Sequence, residues 1–392
     1  MSRAWGTVAL HEIAIIEREV VEATAIDAGT LYVGLENIQS GGDFLNVREV
    51  ESGELASSKF AFTPRHLLYG KLRPYLAKIS RPTFGGICST DILPVLPGPN
   101  LDRDYLAHFL LRPESVSLAN SRATGANLPR LSPRALAEIR LPFPPLPEQR
   151  RIAGILDRAD ALRAKRRAAL AQLDSLTQSI FLDMFGDPAT NPKGWPESLT
   201  LGEVAEIVSG VTKGRNLDGK ATRIVPYLAV VNVQDRVLDL SVIKSIEATE
   251  DEIERYRLKT NDLLLTEGGD PDKLGRGTLW NDELPECIHQ NHIFRVRLTS
   301  DQVNPLFLNW LVGGQRGKRY FLRSAKQTTG IASINMMQLR GFSLLLPPII
   351  LQHEFARRVA VVDKLKTAHR ASLAKMDALF ATLQHRAFLG EL

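Results

Sequence analysis

The 392-residue chain has few cysteines, with only Cys88 and Cys287 present. Two thiols cannot form a disulfide framework or a four-cysteine zinc cluster, and they point to a reducing compartment. Aromatic residues make up only 7% of the chain. No apolar run approaches the eighteen or so residues of a membrane span. The opening "MSRAWGTVALHE" has no basic segment followed by an apolar one, so a secretory signal is not expected. These absences together predict a soluble, cytoplasmic protein with no membrane association.

Strong charge of one sign is also missing. The net charge is +5, with 49 Lys+Arg against 44 Asp+Glu. Residues 1–145 hold 15 cations against 15 anions, 146–187 hold 7 against 6, 188–345 hold 20 against 19, and 346–392 hold 7 against 4. A surplus so small and spread out supports nucleic-acid contact through local basic loops but not through bulk attraction. Tight binding would then depend on a partner.

Catalytic signatures are absent as well. No G-x-x-x-x-G-K-[ST] phosphate loop occurs, and no Asn/Asp-Pro-Pro-Tyr/Phe string of the kind adenine methyltransferases use. The "HQNH" run, His289 to His292, precedes an apolar strand and has no second ligand cluster, so a metal site is not expected there. "EGGDPDKLGRG", Glu267 to Gly277, fits a surface loop better than a nucleotide cradle, because no dinucleotide-type helix start follows it. No catalytic residue and no metal ligand is assigned.

What the chain does have is itself, twice. Shifted by 203 positions, "PPLPEQRRIAGIL" from Pro144 meets "PPIILQHEFARRV" from Pro347. Gln149 then meets Gln352, Asp160 meets Asp363, Leu170 meets Leu373, Asp174 meets Asp377 and Phe185 meets Phe388. A register kept for some forty residues marks a duplication. The repeat reaches upstream with looser spacing, where "YVGLENIQ" answers "YLAVVNVQ" and "ATGANLPRLS" answers "TTGIASINMMQ".

Short β-branched strands such as "TLYVGL", "RIVPYLAVVNV" and "HIFRVRL" lie between turns and helices in each half. The predicted fold class is therefore mixed α/β, with two tandem α/β domains and two long helices. The segments are a first domain over 1–145, a long helix over 146–187, a second domain over 188–345 and a second long helix over 346–392.

Prolines followed by polar residues favour the helix starts. Apolar residues at heptad spacing predict a helix–helix seam through Ile152, Ile155, Ala159, Leu162, Leu173, Leu176 and Ile180. On the second helix the corresponding seam runs through Phe355, Val362, Leu365, Met376, Leu379 and Leu383, with Arg166 and His369 at the two midpoints. An antiparallel coiled coil is expected, because a whole domain must fit between the end of one helix and the start of the next. The "RAKRR" run, Arg163 to Arg167, is read as a solvated helix face.

In this arrangement the chain resembles the specificity subunit of type I restriction–modification systems. The resemblance rests on "PPLPEQRRIAGILDRADALRAKRRAALAQLDSL" with "FLDMFGDP", on the C-terminal "RASLAKMDALFATLQHRAFLGEL", and on "LLYGKLRPYLAK", "LLLTEGGDPDKLGRG" and "HQNHIFRVR" within the domains. It implies that each domain reads one half of a bipartite, asymmetric double-stranded DNA target, with the coiled coil setting their separation. It further implies two modification (methyltransferase) subunits docked on the helices and restriction (translocase and nuclease) subunits joining them. S-adenosylmethionine and ATP with magnesium would belong to those partners, and this chain would bind no cofactor. A freestanding DNA-binding regulator and a coiled-coil scaffold are the alternatives.

Base readout uses Arg, Lys, Asn and Gln on loops. The candidates are Lys71, Arg73, Lys78, Arg122, Asn127 and Arg130 in the first half. In the second they are Lys213, Arg215, Asn216, Lys273, Arg276, Arg316, Lys318, Arg319 and Gln327. With no catalytic motif in the chain, the purified protein is predicted to transfer no methyl group to DNA alone. Methylation above background by this chain in isolation, read with labelled S-adenosylmethionine, would contradict the reading.

Overall fold

The computed structural model describes residues 5–270, 274–328 and 331–392. It divides into two compact units, Met1–Ala168 with Arg370–Leu392, and Ala169–His369. Each unit holds one globular part and half of each long helix.

In unit 1 a four-stranded antiparallel sheet runs in the order Ala14–Ile16, Ile92–Pro97, Leu67–Gly70, Ile79–Ser80. Unit 2 builds its counterpart from Ala205–Ser209, Ile293–Leu298, Leu263–Thr266 and Gly277–Leu279. Each unit also has a second sheet with one parallel pair. Tyr32 and Val33 pair with Ile87 and Cys88, while Tyr227 and Leu228 pair with Ile288 and His289.

The repeated Asn of "YVGLENIQ" and "YLAVVNVQ" does the same work twice. The Asn37 Oδ1 accepts the Gly34 N–H at 2.8 Å, and the Asn232 Oδ1 accepts the Ala229 N–H at 2.8 Å. Their amide groups donate onward, to Leu45 and Asn46 carbonyls in one unit and to Asp239 and Val242 carbonyls in the other. A side chain that satisfies three backbone groups fixes the turn after each parallel strand.

The long helices span Leu146–Phe185 and Ile349–Leu389. Each ends on a glycine in the left-handed region, Gly186 (φ 77°) and Gly390 (φ 75°), where other residues are strained. Each begins with a buried glutamine. The Gln149 Oε1 accepts the Asp102 N–H at 2.9 Å, and its amide donates to the Asn100 and Pro144 carbonyls. The Gln352 Oε1 accepts the Asn304 N–H at 2.8 Å, and its amide donates to Gln302 and Pro347. Asp102 and Asn304 in turn cap the helices Arg103–Leu110 and Pro305–Val312.

Within each unit the helices run antiparallel. In unit 1 Arg151 donates to the Leu392 carbonyl and Arg163 meets Asp377; in unit 2 Asp174 meets Lys366 and Phe181 packs on Phe355. The start of one helix and the end of the other enter the same core. Ile152, Leu156, Ala387 and Phe388 belong to the core of unit 1, and Phe181, Phe185, Phe355 and Val359 to that of unit 2. Phe388 lies 5.1 Å from the ring of Tyr105, and Phe185 lies 4.8 Å from that of Phe307.

The expected seam needs correction at alternate positions. Leu162, Leu176, Leu365 and Leu379 are 55, 42, 46 and 56% exposed. The inward positions are their neighbours Arg163, Thr177, Lys366 and Phe380, all buried or half-buried. The full seam is 149, 152, 156, 159, 163, 166, 170, 173, 177, 180 and 184, repeated on the second helix at plus 203. Ile152, Ala159, Leu173, Ile180, Phe355, Val362, Met376 and Leu383 lie on it. Ile155 lies beside it, next to Leu156.

Arg163 and Lys366, which occupy equivalent seam positions, are each set between two aspartates. Arg163 contacts Asp160 and Asp377, both at 2.6 Å, and its guanidinium lies 4.3 Å from the Phe380 ring centre. Lys366 contacts Asp174 at 3.0 Å and Asp363 at 3.7 Å, with Thr177 standing where Phe380 stands in the other unit. Apolar periodicity alone missed this phase, because three of the four side chains that carry it, Arg163, Thr177 and Lys366, are polar. The long aliphatic stems of Arg163 and Lys366 still cover the seam.

Asp157 of the first helix is clamped by His108 at 2.9 Å and Arg81 at 2.7 Å. Burial works to raise its pKa, but these hydrogen bonds prevail and hold it at about 2.

Replacing Gln149 by Ala would leave three backbone groups without this partner, the Pro144 carbonyl buried and the other two partly buried, and a buried group left so costs about 1–3 kcal/mol. Gln149→Ala is predicted to lower the urea midpoint of unit 1 while leaving unit 2 in place, as read by residue-resolved hydrogen exchange.

Candidate nucleic-acid interface

The strand Leu67–Gly70 ends in a loop that is bound side by side with another. Leu72 bridges to Arg130, the Arg73 N–H donates to the Pro129 carbonyl at 2.7 Å, and the Leu131 N–H donates to Lys71 at 2.9 Å. Thr124 and Arg130 close the second loop on itself with a reciprocal pair of bonds. Arg73 (φ 52°) and Ala77 (φ 47°) both occupy the left-handed region around the short turn Pro74–Leu76. Non-glycine residues in that region cost about 1 kcal/mol or more, and such outliers cluster at functional sites.

This pairing brings Lys71, Arg73 and Arg130 together, with Asn127 in the loop that Thr124 and Arg130 close. Lys71 and Arg130 share the carboxylate of Asp91, at 3.5 and 3.4 Å. Arg73 and Asn127 are exposed, as is Arg122 at the end of the helix Pro113–Ser121. Lys78 differs, since its Nζ donates to the Leu35 carbonyl at 2.6 Å and so holds the fold. Tyr75, 51% exposed in the same turn, is an addition that a search for cations and amides passes over.

Unit 2 makes the equivalent juxtaposition by a different local route. The strand Leu263–Thr266 leads into Gly268–Gly269, which pairs with Ile331–Ser333, and that strand pairs with Lys326–Thr328. Ser333 stands 203 positions after Arg130, so the same two segments meet in both units. Gln327 lies on the strand Lys326–Thr328, and Lys273 lies outside the described residues. Arg276 donates to the Gln234 Oε1 at 3.0 Å and shares a cleft of about 290 Å³ with Lys318.

The other candidates in unit 2 separate by role. Arg316 reaches Glu197 at 2.6 Å and also donates to the Ser343 and Pro188 carbonyls. Arg215 grips Glu252 at 2.5 Å and donates to Thr212 and Glu247 carbonyls. Its hydrogen bonds draw the Glu252 carboxyl down to about 2. Asn216 accepts the Asp218 N–H in a local turn. Lys213 is exposed, 5.2 Å from the Tyr227 ring centre, and lines a different cleft with Arg215 and Glu247. Arg319 is exposed.

The "HQNH" histidines part company. His289 is fully buried against the Tyr256 and Val208 carbonyls, and burial pushes its pKa down to about 4. His292 meets Glu267 at 2.6 Å on the surface. No cluster of metal-ligating side chains occurs among the described residues. No helix among them is long and apolar enough to cross a membrane.

These features define a tandem-repeat protein with one loop-paired surface per unit. Residues 78–172 match the type I restriction modification DNA specificity domain. Over 327 residues the chain is 26% identical to the type I restriction enzyme StySPI specificity subunit of Salmonella potsdam, covering 79% of this chain and 69% of that protein. A shorter stretch of 161 residues is 31% identical to the EcoDI specificity subunit of Escherichia coli, covering 40% of this chain and 36% of that one. In fold, the chain is similar to one from a structural study of complex assembly and conformational transition in the type I R-M system. That likeness has a TM-score of 0.61 at 20% identity and covers 99% of this chain and 98% of the other. By these comparisons the chain is similar to type I specificity subunits, the family its repeated helices resemble.

The sorting of cations predicts a sorting of mutants. Arg215→Ala and Arg316→Ala should each cost about 1 kcal/mol or more, because partly buried polar partners are stranded. Lys213→Ala and Arg319→Ala should stay within about 0.5 kcal/mol of the parent. Chemical unfolding of the four variants checks the division.

Proposed function

We propose that this chain is the DNA-recognition subunit of a type I restriction–modification complex, non-catalytic by itself and cytoplasmic. Each unit reads one half of a bipartite target through its paired loops. In unit 1 these are the loops of Arg73 and Tyr75 and of Asn127 and Arg130. In unit 2 they are the segments after Thr266 and around Ser333. Arg and Asn side chains on such loops suit base-edge hydrogen bonding, and an exposed Tyr suits apolar or stacking contact.

The observation that carries this reading is the repeated juxtaposition itself. Two units that share 203-residue spacing but differ in loop chemistry meet what an asymmetric two-part target asks for. The long helices would dock two modification subunits on equivalent surfaces, with restriction subunits joining the assembly. S-adenosylmethionine and ATP with magnesium would be held by those partners. The similarity to restriction-enzyme subunits favours this reading over a freestanding regulator.

The test is an exchange of residues 1–145 for the corresponding domain of another such chain. Mapping methylated adenines in a host carrying the hybrid should show one half of the target changed and the other retained. A change in both halves together would exclude independent reading by the two units.

A further inference from the structure

The helix Gln315–Ser324, "QRGKRYFLRS", carries Arg316, Lys318, Arg319 and Arg323 and no acidic residue. Its counterpart in unit 1, Pro113–Ser121, carries Glu114 and no Lys or Arg. Each follows a short helix after two intervening residues, Arg103–Leu110 in one unit and Pro305–Val312 in the other, and precedes the second of the paired segments. In an otherwise repeated architecture, the charge of this one helix is not repeated.

Its faces are well defined. Gly317 and Phe321 are buried, and a Cβ at Gly317 would overlap the Val312 carbonyl, so the helix is pressed onto the one before it. Arg316 is held by Glu197. Arg319 and Arg323 are exposed one turn apart, and Lys318 is half-buried on the side of the candidate loop. Lys318 lines the cleft that also contains Leu274, Gly275 and Arg276, and Gly275 lies against the Phe321 ring. The strand Lys326–Thr328 begins two residues after the helix ends. Thus Lys318 borders the paired segments of unit 2, while Arg319 and Arg323 line the adjoining face of the helix, in a cleft with Arg316, Phe342 and Ser343.

We infer that this helix is a phosphate-backbone grip peculiar to unit 2, with Lys318, Arg319 and Arg323 as its contacts. The inference rests on the DNA-recognition reading above. Phosphate contacts position a protein on a duplex without reading sequence, and each one adds to the salt dependence of binding. Unit 2 would then hold its half-site with a larger ionic component than unit 1.

The experiment uses the full-length chain and a fluorescent duplex of random sequence, with affinity followed from about 50 to 200 mM salt. The variant is Lys318→Gln/Arg319→Gln/Arg323→Gln, which keeps good helix formers on the surface. The control, Lys165→Gln/Lys364→Gln/Lys375→Gln, removes equal charge from exposed positions of the long helices. Each lost phosphate contact lowers the log–log salt slope by about 0.9, so the variant's slope should fall by roughly 2–3 and the control's should not. Arg319→Lys/Arg323→Lys should keep the parent slope. Equal slopes in variant and control would overturn the grip and leave DNA recognition intact. Absence of any salt-sensitive binding by the parent chain would overturn the recognition reading, and the grip with it.

Discussion

A buried carboxamide opens each long helix, and the rest of the architecture depends on it. Gln149 and Gln352 each tie a helix start to the loop that precedes a short globular helix, using both the oxygen and the amide nitrogen. Because one of the three backbone groups at each glutamine is buried and the others lie at its edge, the side chain cannot rotate away without losing three hydrogen bonds. The direction in which each long helix leaves its globular part is thereby fixed. The second tie comes from the far end of the other helix, where Phe388 and Phe185 fill the cores beside Tyr105 and Phe307. Each unit is therefore closed by residues from both ends of the repeat.

The seam obeys the same duplication but is not uniformly apolar. Arg163 and Lys366 sit inward between aspartates of both helices, Asp160 with Asp377 and Asp363 with Asp174. Partly buried cations are costly unless paired, so these positions stabilise one register against shifted ones rather than adding greatly to stability. Polar seam residues that specify alignment at some cost are known in coiled coils. The long helices thus combine a register device at mid-length with hydrophobic anchors at their ends.

Much of this was legible in the sequence, for physical reasons that differ by level. The duplication was readable because both helix copies must satisfy the same packing, which preserves Gln149 with Gln352 and Phe185 with Phe388. The antiparallel arrangement followed from chain connectivity. The phase of the seam was half legible. Ile152, Ala159, Leu173 and Ile180 are inward, but Leu162 and Leu176 look like seam residues and face solvent, while Arg163 and Thr177 face inward. Hydrophobicity cannot distinguish an exposed leucine from a seam leucine when the true seam residue is a paired cation. In the loops, residue type marked Arg73, Asn127 and Arg130, which lie on the two paired loops of unit 1. It could not separate them from Lys78, Arg215 and Arg316, whose partners are carbonyls and carboxylates distant in sequence.

The central claim is that each unit is completed by the far end of the other long helix. Hydrogen exchange on the full-length chain carrying Phe388→Ala tests it most directly. Removing a buried aromatic ring costs about 3–5 kcal/mol. The account predicts faster exchange across Arg103–Leu110 and the first turns from Leu146, with Pro305–Val312 and the turns near Phe355 unchanged. Protection lost equally in both units, or retained in both, would contradict it.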